Sequence, residues 1–178
     1  LGWLSRGLAL LGDRLDAADR PVAALIHIHT GPIHFVRGQY DLALGCVQRG
    51  LGIVEGTDHL AVLATGFNFL GAVQDALGDR DQAVVAFEHS LALWNAAGDS
   101  VQAAQVEDNL GVTCFHRGEW ERAADFHRRA LETFERIEDR DQIIYACVNL
   151  GNVRLGRGEF DAAEALFTRA RTLAEAIG

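Results

Sequence analysis

The chain has 178 residues, 49% of them hydrophobic, and its formal net charge of −9 includes sixteen basic residues that are all arginine. That balance disfavours a general nucleic-acid or anionic-membrane surface, which would need a basic patch. No apolar run reaches the ~18–20 residues of a membrane span and no signal peptide is evident, so no membrane or direct nucleic-acid partner and a cytoplasmic location are expected.

In chain order, residues 1–12 place Leu1, Leu4, Leu8 and Leu11 on one helical face and predict a helix over 2–12. The piece RGLAL near the start resembles RGLGI at 49–53 and HSLAL at 89–93. The chain is therefore expected to open in the second helix of a repeat whose first helix lies upstream. The absence of methionine agrees with a piece of a longer protein. The polar stretch 12–20 reads as a turn, and Pro21 suits the first turn of the next helix.

From there the sequence copies itself. Glycine recurs every 40 residues at Gly31, Gly71, Gly111 and Gly151. A second glycine follows each at Gly38, Gly78, Gly118 and Gly158, and an alanine at Ala43, Ala83, Ala123 and Ala163. Self-similarity at a fixed period is the mark of stacked repeats, each burying its apolar face on its neighbour. The units read as 20–58, 59–98, 99–138 and 139–178, after a truncated leading piece, 1–19.

Each unit reads as two helices, giving about nine in all: 2–12, 21–37, 40–55, 59–77, 80–97, 100–117, 120–137, 140–157 and 160–177. Asp99 and Asp139 are expected N-caps, with Thr57 or Asp58 serving the second unit, and Gly98 suits a helix C-terminus. Gly111 is expected to let the first helix approach a neighbour's backbone, with Ala123 and Ala130 doing the same for the second. Leu110, Phe126 or His127, and Leu131 would fill the space that remains.

The run NLGVTCFHRGEWERAADFHRRAL at 109–131 carries Leu110–Gly111, Gly118, Trp120, Ala123 and Ala130–Leu131, and this skeleton resembles the tetratricopeptide repeat. It departs in its period of 40, in lacking the terminal proline, and in placing His34, Gln74, Cys114 and Arg154 in the aromatic slot. Long repeats with Asn-Leu-Gly are similar to the sensor regions of bacterial SARP-type and LuxR-type regulators and of AAA-linked cyclases, and to Pins-type scaffolds. The arginine-rich composition favours the bacterial group. The resemblance implies an all-α fold, a right-handed α-solenoid of antiparallel helix pairs.

It also implies a concave groove, lined by the first helices, that takes a peptide or partner segment. Carried over position by position, the groove residues are His29, Asn68, Phe69, Gln105, Asp108, Asn109, His116, Tyr145, Asn149 and Asn152, with Phe35 and Asp75 alongside. Asn109 and Asn149 share one slot, and an amide can both donate to and accept from a peptide backbone. The family's carboxylate clamp needs basic residues that these positions do not hold.

Other chemistry finds little support. Cys46, Cys114 and Cys147 form no CxxC and read as small buried hydrophobes. His27 and His34 share a helical face, but no third ligand stands at zinc spacing and there is no HExxH. The glycines of 117–120 and 156–159 follow no strand, so they read as turns and not as phosphate loops. No convergent titratable pair suggests catalysis, and neither metal nor cofactor is expected. The expected function is a protein-interaction scaffold within a larger bacterial signalling or transcription-regulatory protein. The alternatives are a self-assembly element, forming a homo-oligomer through its terminal helices, and a small-molecule sensor.

Overall fold

A computed structural model describes residues 2, 16 and 18–177. Every regular element among them is a helix: α1 (Arg20–Phe35), α2 (Tyr40–Val54), α3 (Leu60–Leu77), α4 (Arg80–Ala97), α5 (Ser100–His116), α6 (Trp120–Arg136), α7 (Arg140–Gly156) and α8 (Phe160–Ile177). The helix expected over 2–12, with Leu4, Leu8 and Leu11, lies outside the described residues. The chain forms two compact units, Leu1–Gly98 and Asp99–Gly178.

The first unit contains two antiparallel pairs, α1 with α2 and α3 with α4, and α3 also packs on α1 and α2. Ala23, Ala24, Ile28, Val54 and Val62 are buried, with Ile53 and Leu63 packed around part of this core. Pairs turn at Gly38 and Gly78, whose φ of +70° and +88° lies where a side chain would be strained. Small residues decide how closely a pair approaches. A Cβ on Gly50 would stand 2.8 Å from the carbonyl oxygen of Ala24. Forty residues on, Ser90 takes that slot and its hydroxyl donates to the Ala64 carbonyl at 2.8 Å, so the buried oxygen atoms are satisfied.

In the second unit α5 pairs with α6 and α7 with α8, and α7 packs on α6 and α5. Its core joins Ala123, Ala130, Leu131 and Phe134 of α6 to Ile143, Ala146, Cys147 and Leu150 of α7. Ala130 and Ala170 occupy the slot held by Gly50 and Ser90, and both are buried.

The repeat glycines differ from expectation in what they meet. No backbone of a neighbouring helix is among the nearest atoms to Gly111; the ring of His127, from its own pair, would stand 2.5 Å from an added Cβ. Gly71 and Gly151 are covered in the same way by Phe87 and Phe167. Gly31 is covered by Val47 and by the ring of Phe69, which comes from the next pair. The glycine is therefore a seat for a flat side chain, and a methyl group there would occupy the volume of the ring.

Capping follows the period only in part, since the N-cap residues Asp19, Gln39 and Glu119 make no side-chain bond. Asp79, Asp99 and Asp139 accept from the backbone N–H of Gln82, Gln102 and Gln142 at 3.4, 3.0 and 3.1 Å. At α3 neither Thr57 nor Asp58 caps: His59 stands in the N-cap slot with no side-chain bond, and the Thr57 hydroxyl instead donates to the Val54 carbonyl. Gly98 closes α4 in the left-handed conformation, whereas the slot 40 residues later holds Glu138, at φ +57°. Helix α3 is long and apolar enough to cross a membrane by length and composition. It also carries Asn68, Gln74 and Asp75, and it packs on α1, α2 and α4.

Candidate functional site

The polar face expected to bind a partner resolves into two groups, one in each unit. In the second unit, Gln105, Asp108, Asn109 and His116 follow helical spacing along α5, and Tyr145, Asn149 and Asn152 do so along α7. Tyr145 is 64% exposed, Asn152 and His116 are exposed, and Gln105, Asp108, Asn109 and Asn149 are half-buried.

Asp108 joins the two helices. Its Oδ1 accepts from His127 Nδ1 at 2.6 Å, and its Oδ2 accepts from Asn149 Nδ2 at 2.9 Å. An ionised carboxylate only accepts, so both partners must present N–H groups. That fixes two orientations. The His127 imidazole carries a proton on Nδ1, and the Asn149 amide turns its NH2 toward Asp108 and its carbonyl oxygen away. His127 is fully buried on the seat of Gly111, so the anchor of this bridge cannot drift. What remains for a ligand at Asn149 is a fixed carbonyl acceptor and a second N–H, the complement of a peptide backbone.

Charge is managed around this face without crowding it. Glu107 pairs with Arg129 at 3.3 Å, and burial raises its carboxyl above the ordinary range against the pull of that arginine. Arg129 in turn lies over the ring of Phe126, 4.8 Å from its centroid. Arg154 is held by Glu159 at 2.6 Å.

In the first unit His29 is exposed on α1, and Asn68 and Phe69 are half-buried on α3. Phe69 packs inward: its ring sits on Gly31 and meets Phe35 edge-on at 5.9 Å. Asp75 lies 3.9 Å from Arg80.

Two features escaped the sequence. His127 looked like a space-filler, and the signal that could have found it is its slot, which holds Val47, Phe87 and Phe167 in the other repeats. A histidine among apolar counterparts asks for a buried partner, and Asp108, nineteen residues earlier, is that partner. The second feature is the inward turn of Phe69. The thiols of Cys114 and Cys147 are buried, and burial pushes Cys114 up to about 11, which suits a packed thiol and not a nucleophile. Among the described residues no group of three or more histidine, cysteine or acidic side chains converges on a metal position.

Antiparallel helical pairs repeating every 40 residues, with small residues at the contacts and a polar face on the first helices, define a helical-repeat scaffold. Residues 101–176 match the family model of the tetratricopeptide repeat, so this part of the chain is similar to that family. It is similar to the protein kinesin light chain-related 2 of Arabidopsis thaliana, 25% identical over 116 residues, which is 64% of this chain and 18% of that protein. Among solved structures it is similar to BtubC from P. vanneervenii (TM-score 0.87, 22% identity, 99% of this chain and 72% of the other). It is also similar to aspartyl phosphate phosphatase F from Bacillus subtilis (TM-score 0.85, 14% identity, 99% of this chain and 46% of the other). These structural likenesses establish the α-solenoid fold. The chain spans less than a fifth of the curated relative's length.

Proposed function

We propose that the face formed by α5 and α7 binds an extended segment of a partner protein, and that the chain is a docking module and not an enzyme. The observation that carries this reading is the Asp108 bridge, which turns the Asn149 carbonyl away from Asp108 in a stripe with Gln105, Asn109, Tyr145 and Asn152. An amide so held suits the backbone of an extended chain, and the exposed Tyr145 ring supplies apolar area beside it. His29 and Asn68 extend the reading to the first unit. The similarity to a phosphatase of aspartyl phosphate supports a signalling role for the larger protein, and the composition supports a bacterial regulator working in the cytoplasm.

The test starts from peptides selected on this protein from a random-peptide display library. Changing Asn109 and Asn149 together to alanine should weaken the best of them by more than about tenfold, or about 1.4 kcal/mol, with the melting temperature nearly unchanged. Unaltered affinity would place the binding face elsewhere.

A second reading, self-assembly, has one observation in its favour. The outer side of α8 carries a cleft of about 510 Å3 lined by Leu155, Phe160, Phe167 and Arg171, with Phe160 67% exposed. Light scattering after size exclusion at ~100 μM separates the two, since a strict monomer retires self-assembly.

A further inference from the structure

The two units fill one position in two ways. In the second unit Arg169, on α8, reaches across to Glu135, on α6, at 2.6 Å. The pair lies over α7, with Ile143 beside it, and close enough to Cys147 that both charges act on its thiol. Two repeats earlier the same slots hold Glu55, Leu63 and Phe67, but the arginine slot holds His89. That shorter side chain meets the ring of Phe67 edge-on at 5.2 Å and makes no described bond to Glu55.

An open cleft of about 250 Å3 lies here, lined by Gln48, Leu51 and Gly52 of α2, by Glu55 just past the end of that helix, and by Leu63 and Phe67 of α3. Leu51, Leu63 and Phe67 are half-buried and form an apolar wall, while Gln48 and Glu55 are exposed at the rim. Glu55 makes no ion pair among the described residues. Gly52 keeps the cleft open, because a Cβ there would meet nothing within 4 Å; its counterpart in the second unit is Glu132.

We propose that this cleft is a second docking site, on the side of the second helices, and that it takes an arginine side chain of a partner protein. The chain's own Arg169 is the template. The apolar wall receives the methylene stem, as long cationic side chains lie along apolar surface. The Glu55 carboxylate and the Gln48 amide oxygen then accept from the guanidinium, whose fixed fork of donors suits two acceptors better than a lysine ammonium does. This site is separate from the peptide face of the second unit and stands or falls without it.

The probe is the capped peptide acetyl-Gly-Gly-Arg-Gly-Gly-amide, titrated into the isotope-labelled protein and followed by amide NMR. Saturable shifts at Gly52, Leu63 and Phe67 are expected, with the lysine peptide several-fold weaker and Glu55→Gln weakening the arginine peptide at least fivefold. Gly52→Leu should fold as the parent does, because the added side chain enters open space on a helix, and it should abolish the shifts by filling the cleft. In Arg169→Ala the arginine peptide should gain a second set of shifts around Ile143 and Cys147, since the template position is then vacant. Absence of saturable shifts at Gly52, Leu63 and Phe67 would overturn the proposal, as would shifts that survive Gly52→Leu.

Discussion

The glycine seats of the two units are the same piece of backbone put to different use. In the first unit, Gly71 receives the ring of Phe87, and the contact is apolar on both sides. In the second, Gly111 receives His127, whose ring fills a similar volume but carries a donor that only Asp108 satisfies. One substitution within the repeat pattern thus turns a packing contact into the foot of a polar bridge that ends at Asn149. A repeat array can add a binding feature without altering its scaffold, because each seat is filled independently of the next.

The comparison can be broken first at the apolar seat. Gly71→Leu would drive side-chain atoms into Phe87, whose ring atoms would stand 2.8 Å from the new Cβ. A loss of about 3 kcal/mol is expected by chemical denaturation, and a loss under about 0.5 kcal/mol would mean the seat is loose. At the polar seat, Asp108→Ala strands the His127 donor in the core, a cost of about 1–3 kcal/mol. Adding His127→Phe in the same chain should recover most of that loss, since phenylalanine already fills the Gly71 and Gly151 seats. A double variant no more stable than Asp108→Ala would show that His127 and Asp108 are not energetically coupled. The smallest effect lies in the turns. Glu138→Gly should stabilise the second unit by about 0.5–1 kcal/mol, because it relieves a side chain held at φ +57° while adding freedom to the unfolded chain.

Much of this was legible in the sequence because it follows from period. The 40-residue spacing placed the helix pairs, the turns at Gly78 and Gly118, and the caps at Asp99 and Asp139. It misled at Thr57 and Asp58, where the capping register falls on His59. It misled again at Gly111, because a glycine in a helix signals closeness without saying whether backbone or ring comes close. At the candidate site the pattern gave the stripe but not the bridge. Asp108 and Asn149 stand 41 residues apart, and their hydrogen bond depends on how α5 and α7 pack. Phe69 shows the converse, since its slot matches Asn109 and Asn149 while its ring turns inward to Gly31. Apolar and polar side chains at one position sort by burial, which spacing alone does not report.

The His127–Asp108 pair sets the direction of the Asn149 amide, on the face proposed above to bind a peptide. His127→Phe alone tests it most directly, because the apolar seat tolerates phenylalanine while Asp108 loses its anchor. With a peptide selected on the parent protein, calorimetry should show affinity falling about tenfold, or about 1.4 kcal/mol, in a variant that still folds but loses about 1–3 kcal/mol of stability, because the Asp108 carboxylate is left without its buried donor. An unchanged affinity in the folded variant would show that the pair does not orient Asn149.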